Sequence, residues 1–261
     1  MATQLTERQR REREYYDQYS QRAGRDIDFS PIDGTERRPW NSYWRLFELI
    51  QQEFRPGARL LDFGCGWGTN TVVFARIGYQ VEGFDISQQN VASTLELARQ
   101  YGVADRVGAS IQAAEALTFP DNHFDVVAGV DILHHVEVGP AMRECHRVLK
   151  PGGKAFFREP LYSALFDPVR NWGPVRAAVP NSRSFERHIT DDERKLDNRD
   201  LRAIRSVFPH CRIEHSRITS RLAVLAPGLS TSLERADRLL ARLPGARLAS
   251  GTGIIVLTKE I

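Results

Sequence analysis

With 261 residues, 41% of them hydrophobic and 26% charged, the chain is long enough for one large domain with a full core and too short to need two. A net charge of +3 does not call for a polyanionic partner, and three scattered cysteines, Cys65, Cys145 and Cys211, supply neither a disulfide framework nor a zinc cluster. The opening residues MATQLTERQRREREYY are charged rather than apolar, and no run of about 18 apolar residues is present to span a bilayer, so the expected compartment is a reducing cytoplasm.

In chain order, a mixed-charge leader precedes NSYWRLFELIQQEF (Asn41 to Phe54), whose apolar residues recur at helical spacing behind a cap at Asn41 or Ser42. Pro56 and Gly57 end that helix, and ARLLDFG begins a buried first strand. Thr69 to Ile77 predicts a helix stopped by Gly78. YQVEGFD is the second strand, and SQQNVASTLELARQYG is a helix opening on Ser87 and closing on Gly102. RVGASIQ and FDVVAGVDIL predict the third and fourth strands. GPAMRECHRVLKPGG is a helix with a Pro-Gly stop, and KAFFREP is the fifth strand. Strands alternating with helices imply right-handed crossovers and an α/β fold, a mostly parallel sheet with helices on both faces.

In such sheets ligands sit beyond the carboxyl ends of the strands, where the winding direction reverses. LLDFGCGWGTN (Leu60 to Asn70) falls there, after the first strand and before the first crossover helix. Its glycines at 64, 66 and 68 let the turn pass tightly and let a ligand touch bare backbone, while the amides of the following helix start favour a negative group. Asp85, at the end of the second strand, is placed to accept hydrogen bonds from two adjacent ribose hydroxyls. A dinucleotide fingerprint would need glycine where this chain has Thr69. Asp62 would repel a pyrophosphate, whereas it suits the ammonium of a methionine tail. The expected ligand is therefore S-adenosylmethionine.

At this point the chain resembles the Rossmann-like S-adenosylmethionine-dependent methyltransferases, particularly the small-molecule branch that includes quinone-biosynthesis enzymes. The resemblance covers roughly residues 40 to 160. It rests on LLDFGCGWGT, VEGFDIS, AAEALTFPDNHFDVVAGVDILHHV and VLKPGGKAFFRE, four motifs in order. It implies that Asp62, Gly64, Cys65 and Gly66 line the methionine end, that Asp85 holds the ribose and that Ile86 lies against the adenine. The family's adenine-side aspartate corresponds to Ala113 here, which leaves base recognition to the Ala114 backbone and Glu115. Asp131, ahead of ILHH, falls near the sulfonium. Tyr15 and Tyr16 resemble part of an N-terminal lid helix, or they anchor a leader to the surface. The last strand, GTGIIVLTKE, is expected to insert antiparallel beside the sixth, CRIEHSRITS.

Methyl transfer from a sulfonium leaves the protein to align the acceptor and manage its proton. His134 and His135 after the fourth strand and Glu159 at the end of the fifth are the candidate bases; alternatively one imidazole only packs, and Glu159 pairs with Arg158. Residues 161–196 form a long, proline-bearing insertion with Tyr162, Phe166, Trp172 and Phe185. Long insertions in a compact domain are usually functional. This one reads as a cap over an aromatic, polyketide-like or lipid-like acceptor. Tyr162, Phe166, Trp172 and His188 are its substrate contacts, and Arg170, Arg176, Arg183 and Arg187 face either an acidic group or solvent.

The expected organisation is a lid segment over 1–40, the cofactor-binding core over 41–160, the cap, and a C-terminal part over 197–261 with an extra helix at 229–244. That helix carries Leu229, Leu233, Leu240 and Leu243 among arginines. It packs on the domain, rests peripherally on a membrane or meets a second copy in a homodimer. The expected activity is methylation of a small molecule, first at oxygen and alternatively at carbon or nitrogen, with no metal. A nucleic-acid partner is not expected, because DILH replaces the Asn/Asp-Pro-Pro-aromatic turn that attack by an exocyclic amine uses. A non-catalytic cofactor-binding protein is the remaining alternative.

Overall fold

The computed structural model describes residues 5–19, 26–34, 38–170, 194–224 and 226–261. Seven strands form one sheet in the order β3-β2-β1-β4-β5-β7-β6. The strands are β1 (Arg59–Phe63), β2 (Gln80–Asp85), β3 (Val107–Ile111), β4 (Phe124–Val130), β5 (Leu149–Pro160), β6 (His210–Ser216) and β7 (Thr252–Thr258). The first five run parallel, and β7 lies antiparallel between β5 and β6. Central strand β4 is buried from Phe124 through Gly129, as a strand covered on both faces must be.

Helices are numbered in chain order: α1 (Glu7–Tyr19), α2 (Ser30–Asp33), α3 (Ser42–Glu53), α4 (Thr69–Ile77), α5 (Gln88–Gln100), α6 (Val138–Val148), α7 (Asp167–Arg170), α8 (Asn198–Val207), α9 (Ser230–Leu240) and α10 (Ala246–Ala249). One core cluster joins Phe63, Phe124 and Phe157 of the sheet to Met142 of α6 and Ile204 of α8. The other joins Leu60, Val81 and Phe156 to Phe47 of α3 and Phe74 of α4. Alternate side chains of β4, β5 and β7 thus feed the two layers. Asn41 is the cap of α3, its side chain accepting the Tyr43 amide at 2.9 Å, and the Ser87 hydroxyl accepts the Asn90 amide at 3.1 Å to start α5.

Three elements differ from the sequence expectation. Strand β5 starts at Leu149, upstream of the Pro-Gly stop, because Leu149 pairs with Phe124 before a register shift. Strand β4 ends at Val130, because Asp131 takes a left-handed φ of +54° and gives its amide to the Arg158 carbonyl at 2.8 Å. The expected helix at 229–244 stops at Leu240, and α10 resumes after Gly245 at φ +85°.

Helix α9 is fastened by Asp237, whose buried carboxylate accepts the amides of Ile218 and Thr219 and the hydroxyls of Thr219 and Ser220. Leu233 and Leu240 are half-buried, whereas Leu229 and Leu243 are more than half exposed. Asp237→Ala strands those amides in a dry site and should lower stability by about 2–4 kcal/mol, measured by urea unfolding.

Candidate active site

A cleft of about 300 Å³ opens beyond the carboxyl ends of β1, β2 and β4. The sheet order reverses between β1 and β4, which leaves no crossover helix above that point. The floor is the turn from β1 into α4, and its three glycines serve two purposes. At Gly64, φ is +78° and a Cβ would stand 2.6 Å from the Ile132 side chain. At Gly68, φ is +96° and a Cβ would stand 2.6 Å from the Thr94 Cα on α5. Gly66, at φ +52°, has nothing within 4 Å of where its Cβ would lie and faces the cleft. Two glycines therefore close the turn against neighbouring elements, and the third leaves room for a ligand at the backbone.

Asp85 is tied to this turn. One carboxylate oxygen accepts the Gly66 amide at 3.0 Å and the other the Ser87 amide at 2.9 Å. Burial pushes its carboxyl up from the ordinary range, while the amides of Ser87 and Gly66 and the Asn90 side chain pull it back. The side chain is 9% exposed and lines the cleft, so an anchored acceptor meets whatever enters. Cys65 also reaches the cleft wall. Its amide goes to the Phe84 carbonyl at 2.8 Å, and burial raises its thiol well above the usual value, as suits packing rather than nucleophilic attack.

Asp62 does not face a ligand tail as expected. It is 1% exposed, is absent from the cleft wall and accepts the Thr71 hydroxyl at 2.6 Å. Burial pushes its carboxyl up to about 7. The alternation of side chains along β1 sends Asp62 under the turn rather than into the space above it.

The two histidines after β4 separate cleanly. His134 is buried with Nδ1 2.8 Å from Glu159, whose second oxygen accepts the amides of Ile132 and Leu133 at 2.9 and 2.8 Å. Neither His134 nor Glu159 lines the cleft, so the expectation of a base in either is corrected: the pair holds the turn after β4 in shape. Glu159 pairs with His134, and Arg158 pairs instead with Asp131 at 2.7 Å. Asp131 and His135 do line the cleft. His135 lies between two residues of α1, with Nε2 3.1 Å from the Tyr16 hydroxyl and Nδ1 3.4 Å from Glu12.

Across the cleft, Ile86, Ala114 and Glu115 form a wall with Gln112. Glu115 accepts the Gln9 side chain of α1 at 2.9 Å and the Glu137 amide at 3.0 Å, so its carboxylate braces α1 as well as facing the cleft. Sequence reasoning missed Gln9, Glu12, Trp67, Asn90 and Gln112. Gln9, Glu12 and Tyr16 recur at i, i+3 and i+7, and that single helical face was the available signal. Tyr162 and Phe166 do not reach the cleft; they are 49% and 37% exposed, and Phe166 lies under the Arg221 guanidinium at 4.1 Å. Trp172 and His188 lie outside the described residues. Among the described residues no group of three or more His, Cys, Asp or Glu side chains is placed to hold a metal. No described helix is long and apolar enough to cross a membrane.

The cleft suits a ligand with a flat apolar part, vicinal hydroxyls and a small polar tail: apolar walls at Ile86, Val130 and Ile132, the Asp85 carboxylate, and bare backbone at Gly66.

Two stability measurements test these assignments. The Asp62 carboxyl keeps its proton to about pH 7 in the fold and loses it near pH 4 when unfolded, so stability falls as pH rises between those values and levels off above. Asp62→Asn removes that component, and its unfolding free energy should fall less steeply across pH 4–7, by up to about 1 kcal/mol per pH unit. Glu159→Ala leaves two buried amides and an imidazole without their acceptor, an expected loss of about 3 kcal/mol by urea unfolding.

Residues 61–157 match the family described as a methyltransferase domain. A ubiquinone/menaquinone biosynthesis C-methyltransferase, UbiE, of Shewanella woodyi is 37% identical over 120 residues, covering 44% of this chain and 48% of that protein. The UbiE of Vibrio vulnificus is 34% identical over 131 residues, 48% of this chain and 50% of its own. The chain thus matches about half the length of these curated relatives. Geranyl diphosphate C-methyltransferase of Streptomyces coelicolor A3(2), solved with Mg2+, geranyl diphosphate and S-adenosyl-L-homocysteine, superposes with a TM-score of 0.63 at 16% identity, covering 98% of this chain and 99% of that one. That likeness is one of fold. The [4+2]-cyclase SpnF superposes at 0.55 with 25% identity over 83% of this chain and 80% of its own. Residues 61–157 of the chain thus match a methyltransferase domain, and the whole chain shares the fold of the geranyl diphosphate C-methyltransferase.

Proposed function

We propose that the protein transfers a methyl group from S-adenosylmethionine to a small, largely apolar molecule. The observation that carries this reading is the Asp85 carboxylate, locked by the Gly66 and Ser87 amides and presented to the cleft beside a bare backbone turn. Asp85 accepts the two ribose hydroxyls. Ile86 and Ala114 flank the adenine, and the Gly64–Gly66 backbone borders the amino-acid tail. Because the site's Asp62 lies beneath the turn, the tail's ammonium is met by main-chain carbonyls rather than by that carboxylate. When bound, the donor supplies an electrophilic methyl carbon on a sulfonium, already a good leaving group. The chain's own contribution is alignment and the exclusion of water under α1, which crosses the cleft and is joined to its far wall through Gln9 and Glu115.

Carbon is the favoured accepting atom. The two curated relatives named above are C-methyltransferases of quinone biosynthesis, and they move the first choice from the oxygen expected from sequence alone. A second reading is the non-catalytic one, in which the cleft holds the cofactor without passing on its methyl group; a neighbour of this fold is itself described as a [4+2]-cyclase rather than a methyltransferase.

Calorimetry with S-adenosylhomocysteine should show one site per chain. Asp85→Ala should weaken it about 10–100-fold, the loss of two hydrogen bonds to a charged acceptor. Incubation with methyl-labelled donor and a panel of phenolic, quinol-like and isoprenoid acceptors should label at least one of them in wild type. Binding without labelled product would select the second reading, and no binding would end both.

A further inference from the structure

Residues 217–251 carry six arginines and two acidic residues, and the fold sorts them by side. Both carboxylates turn inward. Asp237 is buried on the amides of Ile218 and Thr219, and Glu234 of α9 is held by Arg38 and by the Asn41 side chain at 2.8 Å. The arginines turn outward. Arg238, Arg242 and Arg247 are exposed, and among the described residues none of them has a carboxylate within ion-pair distance. Arg235, Arg238, Leu239 and Arg242 recur at i, i+3, i+4 and i+7, so leucine and arginine share one side of α9 and the turn that continues it. Leu239, Leu243 and Leu248 are 66%, 57% and 44% exposed.

The same surface continues onto α7. The Leu248 carbonyl accepts the Leu165 amide at 3.0 Å, the Arg221 guanidinium covers Phe166, and Leu165 and Val169 are each more than half exposed. The acid of that helix, Asp167, is again buried, on the Lys195 ammonium at 2.6 Å. Pro160 at the end of β5 and Ser216 at the end of β6 both lie abreast of Thr252 at the start of β7. α7 and α10 therefore flank the same edge of the sheet at which the cleft opens beyond β1, β2 and β4.

We propose that this face docks on the surface of an anionic lipid bilayer, with its leucines in the acyl boundary and its arginines on lipid phosphates. Arginine stems are long enough to lie along apolar surface while the guanidinium reaches the headgroups. An interfacial segment binds through buried apolar area together with attraction to anionic lipid, and this face offers both with no exposed acid to oppose them. A second copy meeting the same face would set arginine against arginine. A bilayer here lies along the edge at which the cleft opens, which suits the apolar acceptor proposed above. The docking itself holds whether or not a methyl group is transferred.

The test is co-sedimentation of the full chain with vesicles of phosphatidylcholine, alone or mixed equally with phosphatidylglycerol, at about 0.1 M salt. Wild type should bind the mixed vesicles at least about tenfold more tightly than the neutral ones. Arg242→Gln should weaken that binding about fivefold, and Arg238→Gln combined with it about 10–30-fold. Arg99→Gln, an exposed arginine at the far end of α5, should change it less than about twofold. Leu239→Ser and Leu243→Ser should each weaken it about fivefold while keeping the wild-type urea midpoint, because both sites are exposed. No binding to the mixed vesicles, or binding indifferent to the arginine pair or to the two leucines, would overturn the proposal. So would a wild-type dimer in sedimentation equilibrium that Leu239→Ser dissociates, or displacement from the vesicles by soluble polyglutamate at equal charge, which would give the face to a second copy or to an acidic protein. Calorimetry with S-adenosylhomocysteine on the same samples reports on the methyltransferase reading separately.

Discussion

A single hydrogen bond, from the Gly66 amide to the Asp85 carboxylate, links the two strand ends on which the site is built. It can form only if the chain leaving β1 doubles back with three left-handed glycines while packing against Ile132 on one side and Thr94 on the other. Any side chain at Gly64 or Gly68 would push the turn away from those neighbours and carry the Gly66 amide out of reach. The Ser87 amide fixes the second oxygen and begins α5 from the same point. The acceptor in the cleft is thus preorganised by elements from three places in the chain, which is why it can be both buried and specific.

A second fixed point lies at the end of β4. Glu159, from β5, accepts two successive amides and the His134 imidazole, and so imposes the turn that follows Val130. That turn sets Asp131 in its left-handed conformation and directs His135 to the cleft. Two adjacent histidines on one short turn consequently have different partners, one in the interior and one on α1. The physical distinction is the partner carboxylate: Glu159 belongs to the rigid sheet and Glu12 to a surface helix.

Helix α1 follows another rule. The sequence of α1, ERQRREREYYDQY, carries no aliphatic residue, so it cannot dock by apolar burial. Its attachment is a set of hydrogen bonds and ion-pair contacts, individually modest in water and strengthened where the cleft excludes it. A segment held in this way is attached less firmly than α3 and α6, whose aromatic and aliphatic faces are buried in the core.

The sequence by itself determined the alternation of strands and helices, the capping residues, the glycine turn with Asp85 beside it, and the candidate ligand. Each is a local pattern: hydrophobic period, a side-chain oxygen before a helix, glycine where φ is positive. Only the tertiary structure decided that Asp62 lies beneath the turn, that Glu159 takes His134 rather than Arg158, that His135 faces Glu12 and Tyr16 across more than a hundred residues, and that Tyr162 and Phe166 stay off the cleft. Those outcomes depend on which oppositely charged or hydrogen-bonding groups packing brings together after the sheet has closed. The spacing of residues along one strand or helix carries no record of that choice.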